Sequence, residues 1–300
     1  MNNEFILLDR IEKIKAINEQ YDLDSNAYLS FSGGGDSTIL HYLLDLALPN
    51  NNIPRVFMDT GLEYNILVQY VREMAKNDNR ITIRRSNKNI RDILEKVGYP
   101  FKSKEHSEKM FTFQRSGLCK TVTDYLGITG NKPIGFQCSK YVRYQFEDGF
   151  DIKISKKCCD EFKKKPFKEY IKESGRTITL TGMRKSEGGS RNNIGCVVTE
   201  KDKLKKFHPI LVCNDEWCEW FKEKYNIRLC DLYYPPYNFK RTGCSGCPYA
   251  LDLQRQLDIM EELLPNEKKK CEYIWKPIYD EYRRINYRLK DKLKRRDYYV

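Results

Sequence analysis

The first third of the chain alternates short, almost continuous apolar runs with longer stretches in which apolar residues recur every three or four positions. Ala27-Tyr28-Leu29-Ser30-Phe31, Arg55-Val56-Phe57-Met58 and Ile81-Thr82-Ile83-Arg84 are runs of the first kind, and they predict buried strands. Residues 36–47, 63–77 and 89–97 carry the helical period. Strands joined through single helices pair in parallel by right-handed crossovers. Residues 100–150 hold less pattern. Tyr99-Pro100-Phe101-Lys102 breaks the rhythm, and Gly127, Gly130, Pro133 and Gly135 predict loops. The sheet resumes at Thr177–Gly182, and a helix follows from about Asp215 to Tyr225. From Tyr249 onward the pattern is helical, with a break near Pro265. The expected fold class is α/β: a Rossmann-like parallel sheet flanked by helices over 1–248, an insertion at about 100–150, and a helical basic extension over 249–300.

The turn after the first strand, Ser32-Gly33-Gly34-Gly35-Asp36-Ser37, is the first candidate for chemistry. Glycines let backbone N–H groups approach an anion without a Cβ in the way. The helix start adds unpaired N–H groups and a partial positive charge. Ser32 and Ser37 offer hydroxyls, and Asp36 can hold a metal ion or cap the helix. A plain tight turn fits the glycines equally well. The pattern Gly-x-x-x-x-Gly-Lys-Ser/Thr is absent, which excludes a Walker loop here. Asp59-Thr60-Gly61 ends the second strand on the same side of the sheet, where parallel sheets bind their ligands.

Composition narrows the class. The chain has 300 residues, of which 40% are hydrophobic, 32% charged and 13% aromatic, enough aromatic side chains to argue against disorder. No apolar run approaches a membrane span. The start, Met1-Asn2-Asn3-Glu4-Phe5-Ile6-Leu7-Leu8-Asp9-Arg10, lacks the plan of a signal peptide. A cytoplasmic protein with no membrane partner is the expectation. The net charge is +12, with clusters at Lys163–Lys165, Lys201–Lys206 and Lys268–Lys270, and through Arg283, Arg284, Lys290, Lys292, Lys294, Arg295 and Arg296. Such charge suits a nucleic-acid partner through counterion release, or equally a phosphorylated ligand.

Eleven cysteines in a cytosolic chain do not predict disulfides. Cys119, Cys138, Cys196, Cys213, Cys218, Cys230 and Cys271 read as small packed residues. Cys158-Cys159 and Cys244-Ser245-Gly246-Cys247 stand apart. Together they make four thiolates, the donor number of a tetrahedral zinc or of a [4Fe-4S] cluster. Ser155 is placed to cap a helix at the first pair, and Lys163 lies four residues past Cys159, so both would favour thiolate. A third locus is Thr181-Gly182-Met183-Arg184-Lys185-Ser186-Glu187-Gly188-Gly189-Ser190-Arg191. Two arginines in a glycine-rich loop at a strand end suit a phosphate or sulfate oxyanion.

Phe31–Ser37 resembles the pyrophosphate loop of N-type ATP pyrophosphatases, and Arg55–Glu63 resembles the second motif of the phosphoadenylyl-sulfate (PAPS) reductase family. The resemblance implies an adenine nucleotide alpha-hydrolase-like fold. It also implies that Ser32, Gly33, Gly34, Gly35, Asp36, Ser37, Asp59, Thr60, Gly61, Gly182, Arg184, Glu187 and Arg191 bind ATP or an adenylyl nucleotide with Mg²⁺. The 100–150 stretch would cover that nucleotide or shape the acceptor site. The cysteine pairs, with Lys163 and Pro166, resemble assimilatory adenylyl-sulfate reductases, which hold a [4Fe-4S] cluster. This implies Cys158, Cys159, Cys244 and Cys247 as ligands; spacing alone leaves zinc open. The run Tyr233, Arg241, Thr242, Gly243, Cys244, Cys247, Pro248 is similar to the family's approach to its second cysteine pair. The Arg184 loop resembles the family's Gly-x-Arg-x-x-Glu-Ser-x-x-Arg, with Gly188 where serine is usual. His208-Pro209 and Asn214-Asp215-Glu216-Trp217 continue the likeness. Catalytic roles for Asp36, Lys163, Arg184 and Arg191 follow from it.

One part of the family pattern is missing. Sulfonucleotide reductases end on a mobile tail bearing Glu-Cys-Gly-Leu/Ile-His, and this chain ends Lys290–Val300 without cysteine. Cys271 is the sole cysteine beyond Cys247 and falls in a helical stretch, whereas an attacking thiol needs mobility and a low pKa. The expected activity is therefore cleavage of ATP at the α-phosphorus, adenylylating an acceptor for sulfur transfer. The resemblance extends to the iron–sulfur ATP pyrophosphatase of DNA phosphorothioation. The partners it implies are a nucleic-acid acceptor and a sulfur-donor protein such as a cysteine desulfurase. The competing expectations are a sulfonucleotide reductase served by thioredoxin and a non-catalytic iron–sulfur protein that binds nucleic acid.

Overall fold

The computed structural model describes residues 2–85, 89–131 and 133–290. Lys292, Lys294, Arg295 and Arg296 of the expected basic surface lie outside them. The chain divides into two compact units, one of Met1–Ser86 with Pro166–Gly243 and one of Asn87–Lys165 with Cys244–Val300. The 100–150 stretch and the chain after residue 249 thus belong to the same unit.

The first unit is built on a six-stranded sheet. Its strands are β1 (Ala27–Ser30), β2 (Arg55–Asp59), β3 (Ile81–Arg85), β4 (Ile178–Leu180), β5 (Val197–Glu200) and β6 (Lys203–Phe207), in the order β3-β2-β1-β4-β6-β5. All neighbours are parallel except β5 and β6. The α/β class expected from sequence is the observed one. Every residue of β2 is buried, and β1 exposes only Ser30 in part, as central parallel strands require. The helices Asn3–Tyr21 and Gly35–Ala47 cover one face, burying Leu7, Ile14 and Ile17 with Leu40, Leu43 and Leu44. On the other face Tyr28, Val56, Met58 and Tyr170 form a smaller cluster.

Two elements of this unit depart from expectation. The Asn3–Tyr21 helix was not anticipated, because Arg10 interrupts its buried stripe; the guanidinium is accommodated by donating to Asp9 and to the Pro209 carbonyl. The basic stretch Lys201–Lys206 is a hairpin: Lys201 and Asp202 take φ of 49° and 59°, as a two-residue turn with both central residues left-handed demands. Leu204 and Phe207 are buried while the lysines of β6 are not, so the charge run masks a strand.

A charged network lies at the amino-terminal ends of the parallel strands. Arg55, fully buried, donates to His41 Nδ1 at 3.1 Å, Asn51 Oδ1 at 2.7 Å and Asp45 Oδ1 at 2.7 Å. Arg80 pairs with both Asp45 and Asp78. A cavity of about 690 Å³ opens here beside His41, Asp78 and Arg80. Its charges already neutralise one another, so it is a structural feature rather than a candidate site.

The second unit contains the helices Lys104–Ser116, Lys120–Leu126, Leu253–Leu263, Pro265–Ile274 and Lys276–Arg284. The helix expected to break near Pro265 does so, with the proline at its first turn. The loops expected over 100–150 are largely replaced by helices. Their buried positions include His106, Ser107 and Gln145, which disguise the apolar period. Inside, His106 accepts from the Tyr125 hydroxyl at 3.1 Å and donates to Gln145 Oε1 at 2.8 Å. Many of the basic residues counted from sequence are paired within this unit: Lys268 with Glu261, Lys270 with Glu267, Arg283 with Glu272 and Arg284 with Glu281. Among the described residues no helix is long and apolar enough to cross a membrane.

Burial lowers the pKa of His41 and of His106 to about 4, with the Arg55 cation adding to the effect at His41. Both rings are neutral when folded and titrate near 6.5 when unfolded. Between these values the unfolded chain binds more protons, so stability is complete above about pH 6.5 and is lost as pH falls toward 4. Each histidine accounts for about 2–3 kcal/mol of that loss. Urea midpoints measured from pH 7 down to 4.5 are expected to fall steadily, and His106→Gln should flatten part of the slope.

Candidate functional site

The loop after β1 folds on itself. Ser32 Oγ lies 3.0 Å from Ser37 Oγ, the Ser32 N–H donates to Ser37 Oγ, and the Gly34 N–H donates to Ser32 Oγ, both at 3.2 Å. Ser37 and Thr38 hydroxyls return to the Gly34 carbonyl at 2.9 and 3.0 Å. Gly33 has φ of 68°, and a Cβ there would meet Val71 Cγ2 at 2.6 Å. The Gly35 N–H donates to the Tyr233 hydroxyl at 3.0 Å, and that hydroxyl also lies 2.9 Å from Thr242 Oγ1. The expectation of unpaired N–H groups is corrected in this respect: serine and tyrosine hydroxyls satisfy those of Ser32, Gly34 and Gly35. An anion entering the loop replaces these hydroxyls, oxygen for oxygen.

Asp36 opens the Gly35–Ala47 helix, and Arg184 reaches it from the loop after β4. Arg184 Nε donates to Asp36 Oδ1 at 2.8 Å, and Nη1 donates to Asp215 Oδ1 at 2.6 Å and Ser186 Oγ at 3.0 Å. Burial raises the Asp36 pKa; Arg184 opposes the rise and Glu187 adds to it. Glu187 in turn holds two further guanidiniums, Arg191 at 3.1 Å and Arg241 at 2.9 Å. Gly182 makes the approach of this loop to the helix start feasible, because a Cβ there would lie 2.6 Å from the Asp36 carbonyl oxygen and 2.9 Å from the Ser37 nitrogen. Asp36, Gly182, Arg184, Glu187 and Arg191 are thus brought together. Arg241, Tyr233, Thr242 and Asp215 join them, and sequence reasoning had given these no role at the site, although the family run carried all four.

Asp59, Thr60 and Gly61 sit at the carboxyl end of β2, beside β1 in the sheet. The Gly61 N–H donates to Asp59 Oδ1 at 3.1 Å, and Glu63 receives the N–H and hydroxyl of Thr60 at 2.9 and 2.8 Å. This closed turn fixes the Asp59 carboxylate, whose other oxygen faces Arg72 at 3.9 Å.

The cysteine pairs lie in the second unit. Cys158 and Cys159 end a helical turn, Lys157–Cys159, where the Lys157 N–H donates to Ser155 Oγ at 3.2 Å. The chain continues as a wide π turn, Asp160–Lys164, a form often found at functional sites. Cys158 hydrogen-bonds Cys159 and feels Cys244 and Cys247, which with burial push its pKa up. Cys159 is shifted down by its bond to Cys158 and by the cations of Lys104 and Lys163. Lys163 also acts on Cys247, which burial pushes up. The four thiols and Lys163 therefore share one electrostatic neighbourhood. Among the described residues no group of three or more His, Cys, Asp or Glu is close enough to be a metal centre as it stands.

The Cys244–Cys247 turn is held from above by aromatic residues of the C-terminal helices. Trp275 Nε1 donates to the Ser245 carbonyl at 3.0 Å, Tyr279 to the Gly246 carbonyl, and Tyr282 to the Pro248 carbonyl at 2.9 Å. Gly246 has φ of 56°, and a Cβ on it would strike Tyr279 and Cys271. Cys271 is wholly buried and its thiol is pushed up to about 11 by burial. It therefore lacks both properties an attacking thiol needs.

The fold, then, is a nucleotide-binding type of α/β architecture, with its conserved-length turn and arginine loop at the carboxyl edge of the sheet. The phosphoadenosine phosphosulfate reductase domain matches residues 26–126 and 135–250, and the chain belongs to that family. An uncharacterized protein of Methanocaldococcus jannaschii is 26% identical over 266 residues, 82% of this chain and 49% of the relative. The chain thus spans about half the length of the curated relative it matches. Among solved structures, the PAPS reductase of Candida auris in complex with phosphate is 15% identical with a TM-score of 0.43, covering 73% of this chain and 81% of that one. The U34-tRNA thiolase of Methanococcus maripaludis, solved with its [4Fe-4S] cluster, is 13% identical with a TM-score of 0.39, covering 97% and 83%.

Proposed function

We propose that this protein is an ATP-cleaving member of its family, which adenylylates an acceptor and then exchanges AMP for sulfur. The observation that carries the reading is the Ser32–Ser37 loop, with Asp36 locked to Arg184 at the helix start. Its small residues, hydroxyls and helix N-terminus suit the β- and γ-phosphates of ATP, and Arg184, Arg191 and Arg241 suit the charge that grows at the α-phosphate. An acceptor oxygen attacks the α-phosphorus; the bond to the β-phosphate oxygen breaks and pyrophosphate leaves into the loop. A persulfide or sulfide donor then attacks the adenylylated carbon, and AMP departs with the oxygen. Mg²⁺, arriving with ATP, would neutralise triphosphate charge, with Asp36 and Asp59 the available carboxylates.

Cys158, Cys159, Cys244 and Cys247 would hold a [4Fe-4S] cluster, which supplies an iron centre able to hold sulfur. Four thiols in one neighbourhood, lysines that favour their ionised form, and buried hydroxyls without partners among them suit such a group. Lys163 stays beside Cys159 to offset the thiolate charge. The net charge of +12 favours a polyanionic acceptor, a nucleic acid. Such binding weakens steeply with salt.

The competing reading, reduction of a sulfonucleotide to sulfite, has the family in its favour and the burial of Cys271 against it. Protein prepared under argon, assayed for iron and then given either ATP or adenylyl sulfate with thioredoxin, separates the two. Pyrophosphate from ATP is the expected product. Sulfite without pyrophosphate would transfer the assignment to the reductases.

A further inference from the structure

The turn that follows the second cysteine pair carries a polar group with nothing to bond. Tyr249 lies two residues past Cys247, in a turn closed by the Ala250 N–H donating to the Cys247 carbonyl at 2.8 Å. Its own backbone N–H donates to the Cys247 sulfur. Its phenol oxygen is fully buried and has no hydrogen-bond partner. Leaving a hydroxyl buried and unsatisfied costs about 1–3 kcal/mol, so such a group calls for an explanation. A phenylalanine would fill the same space without that cost.

The surroundings supply the explanation. The charged groups that act on the phenol are the thiols of Cys159, Cys158 and Cys247. The neighbouring hydroxyl, Ser107, is already committed: it accepts the Phe101 N–H at 3.0 Å and donates to the Phe101 carbonyl at 2.9 Å. The phenol proton therefore has sulfur as its remaining acceptor. Ser245 Oγ, inside the Cys-x-x-Cys turn, is a second buried oxygen without a partner. Both orphans belong to the two segments that bear the thiols or follow them.

We infer that the Tyr249 hydroxyl is a positioning residue for the bound iron–sulfur group, donating a hydrogen bond to one of its sulfurs once the four cysteines close on it. The inference rests on the cluster proposed above and adds a function for a residue outside the ligand set. A donor to cluster sulfur withdraws electron density and stabilises the reduced form, which raises the reduction potential. Tyr249 would thus set how readily the centre accepts an electron without touching iron.

The test uses the full-length protein reconstituted anaerobically with iron and sulfide. Tyr249→Phe is expected to keep its iron and sulfide content and its absorption, and to show a lower midpoint potential than the parent. Its iron–sulfur stretching bands in resonance Raman spectra should lose part of their shift on exchange into D₂O. Should Tyr249→Phe fail to load, 3,5-difluorotyrosine placed at position 249 keeps the ring and makes a stronger donor. That protein is expected to show a raised potential. A loaded Tyr249→Phe protein with the parent's potential and the parent's D₂O shift would overturn the inference while leaving the cluster standing. So would a difluorotyrosine protein with an unshifted potential. A parent protein that takes up no iron would overturn the cluster itself.

Discussion

Gly182→Ala is expected to abolish release of pyrophosphate from ATP and to lower the stability of the first unit. The added methyl would lie 2.6 Å from the Asp36 carbonyl oxygen, 2.7 Å from its carbonyl carbon and 2.9 Å from the Ser37 nitrogen. These are backbone atoms at the first turn of a helix that is packed along its length, so no side chain can swing aside. Either the loop after β4 or the helix start must move. Forcing a methyl into such a contact costs about 1–3 kcal/mol, and the movement separates Arg184 from Asp36. A shift of an ångström in a positioning group is enough to cost about 100-fold in rate. Gly175→Ala is the control: its φ is 71° and nothing stands within 4 Å of the new methyl. It should cost about 1–2 kcal/mol through backbone strain and leave nucleotide affinity unchanged. Isothermal titration with a non-hydrolysable ATP analogue, together with urea unfolding, distinguishes the two effects. Tight binding by Gly182→Ala would place the nucleotide elsewhere.

Arg184→Ala should be the most damaging change that leaves the backbone untouched. The guanidinium joins Asp36 at 2.8 Å to Asp215 at 2.6 Å. Its removal leaves the Asp36 carboxyl, already raised by burial, without its cation, at a cost of about 1–3 kcal/mol. It also removes a donor aimed at the edge of the sheet where the α-phosphate would lie. Loss of one such donor costs about 100- to 1000-fold in turnover. Arg184→Lys keeps the charge but not the fork that spans two carboxylates, so only part of the rate should return. The readout is the turnover number for pyrophosphate release at saturating ATP. A variant within threefold of the parent would remove Arg184 from the chemistry.

How much of this was legible beforehand depended on whether a segment's burial followed its apolar residues. β1, β2 and β3 were visible because Val56, Phe57 and Leu29 are both apolar and buried. The Ser32–Ser37 loop was visible because glycines and a following helix can be read without knowing any long-range contact. Its internal satisfaction was not, since the Tyr233 hydroxyl that meets Gly35 comes from 198 positions away. Elements with a polar group inside were passed over: Arg10 in the first helix, and His106 with Gln145 in the second unit. In the hairpin of β5 and β6 the lysines hid the alternation of Leu204 and Phe207. The cysteine pairs were recognised by their spacing, but spacing carries no information on the residues that roof them. Tyr249 could be found only as an atom without a partner, and that is a property of the folded chain.

The roof itself has a bearing on how the protein comes into being. The carbonyls of Ser245, Gly246 and Pro248 wait for donors that arrive 30, 33 and 34 residues later. On a growing polypeptide, the second thiol doublet therefore remains adrift until synthesis has passed Tyr282. Any metal delivered before then would meet ligands with no fixed spacing. Maturation of the inorganic centre is in this way deferred to the closing stage of biosynthesis, and a truncated product ending short of those helices would leave the ribosome unable to retain iron.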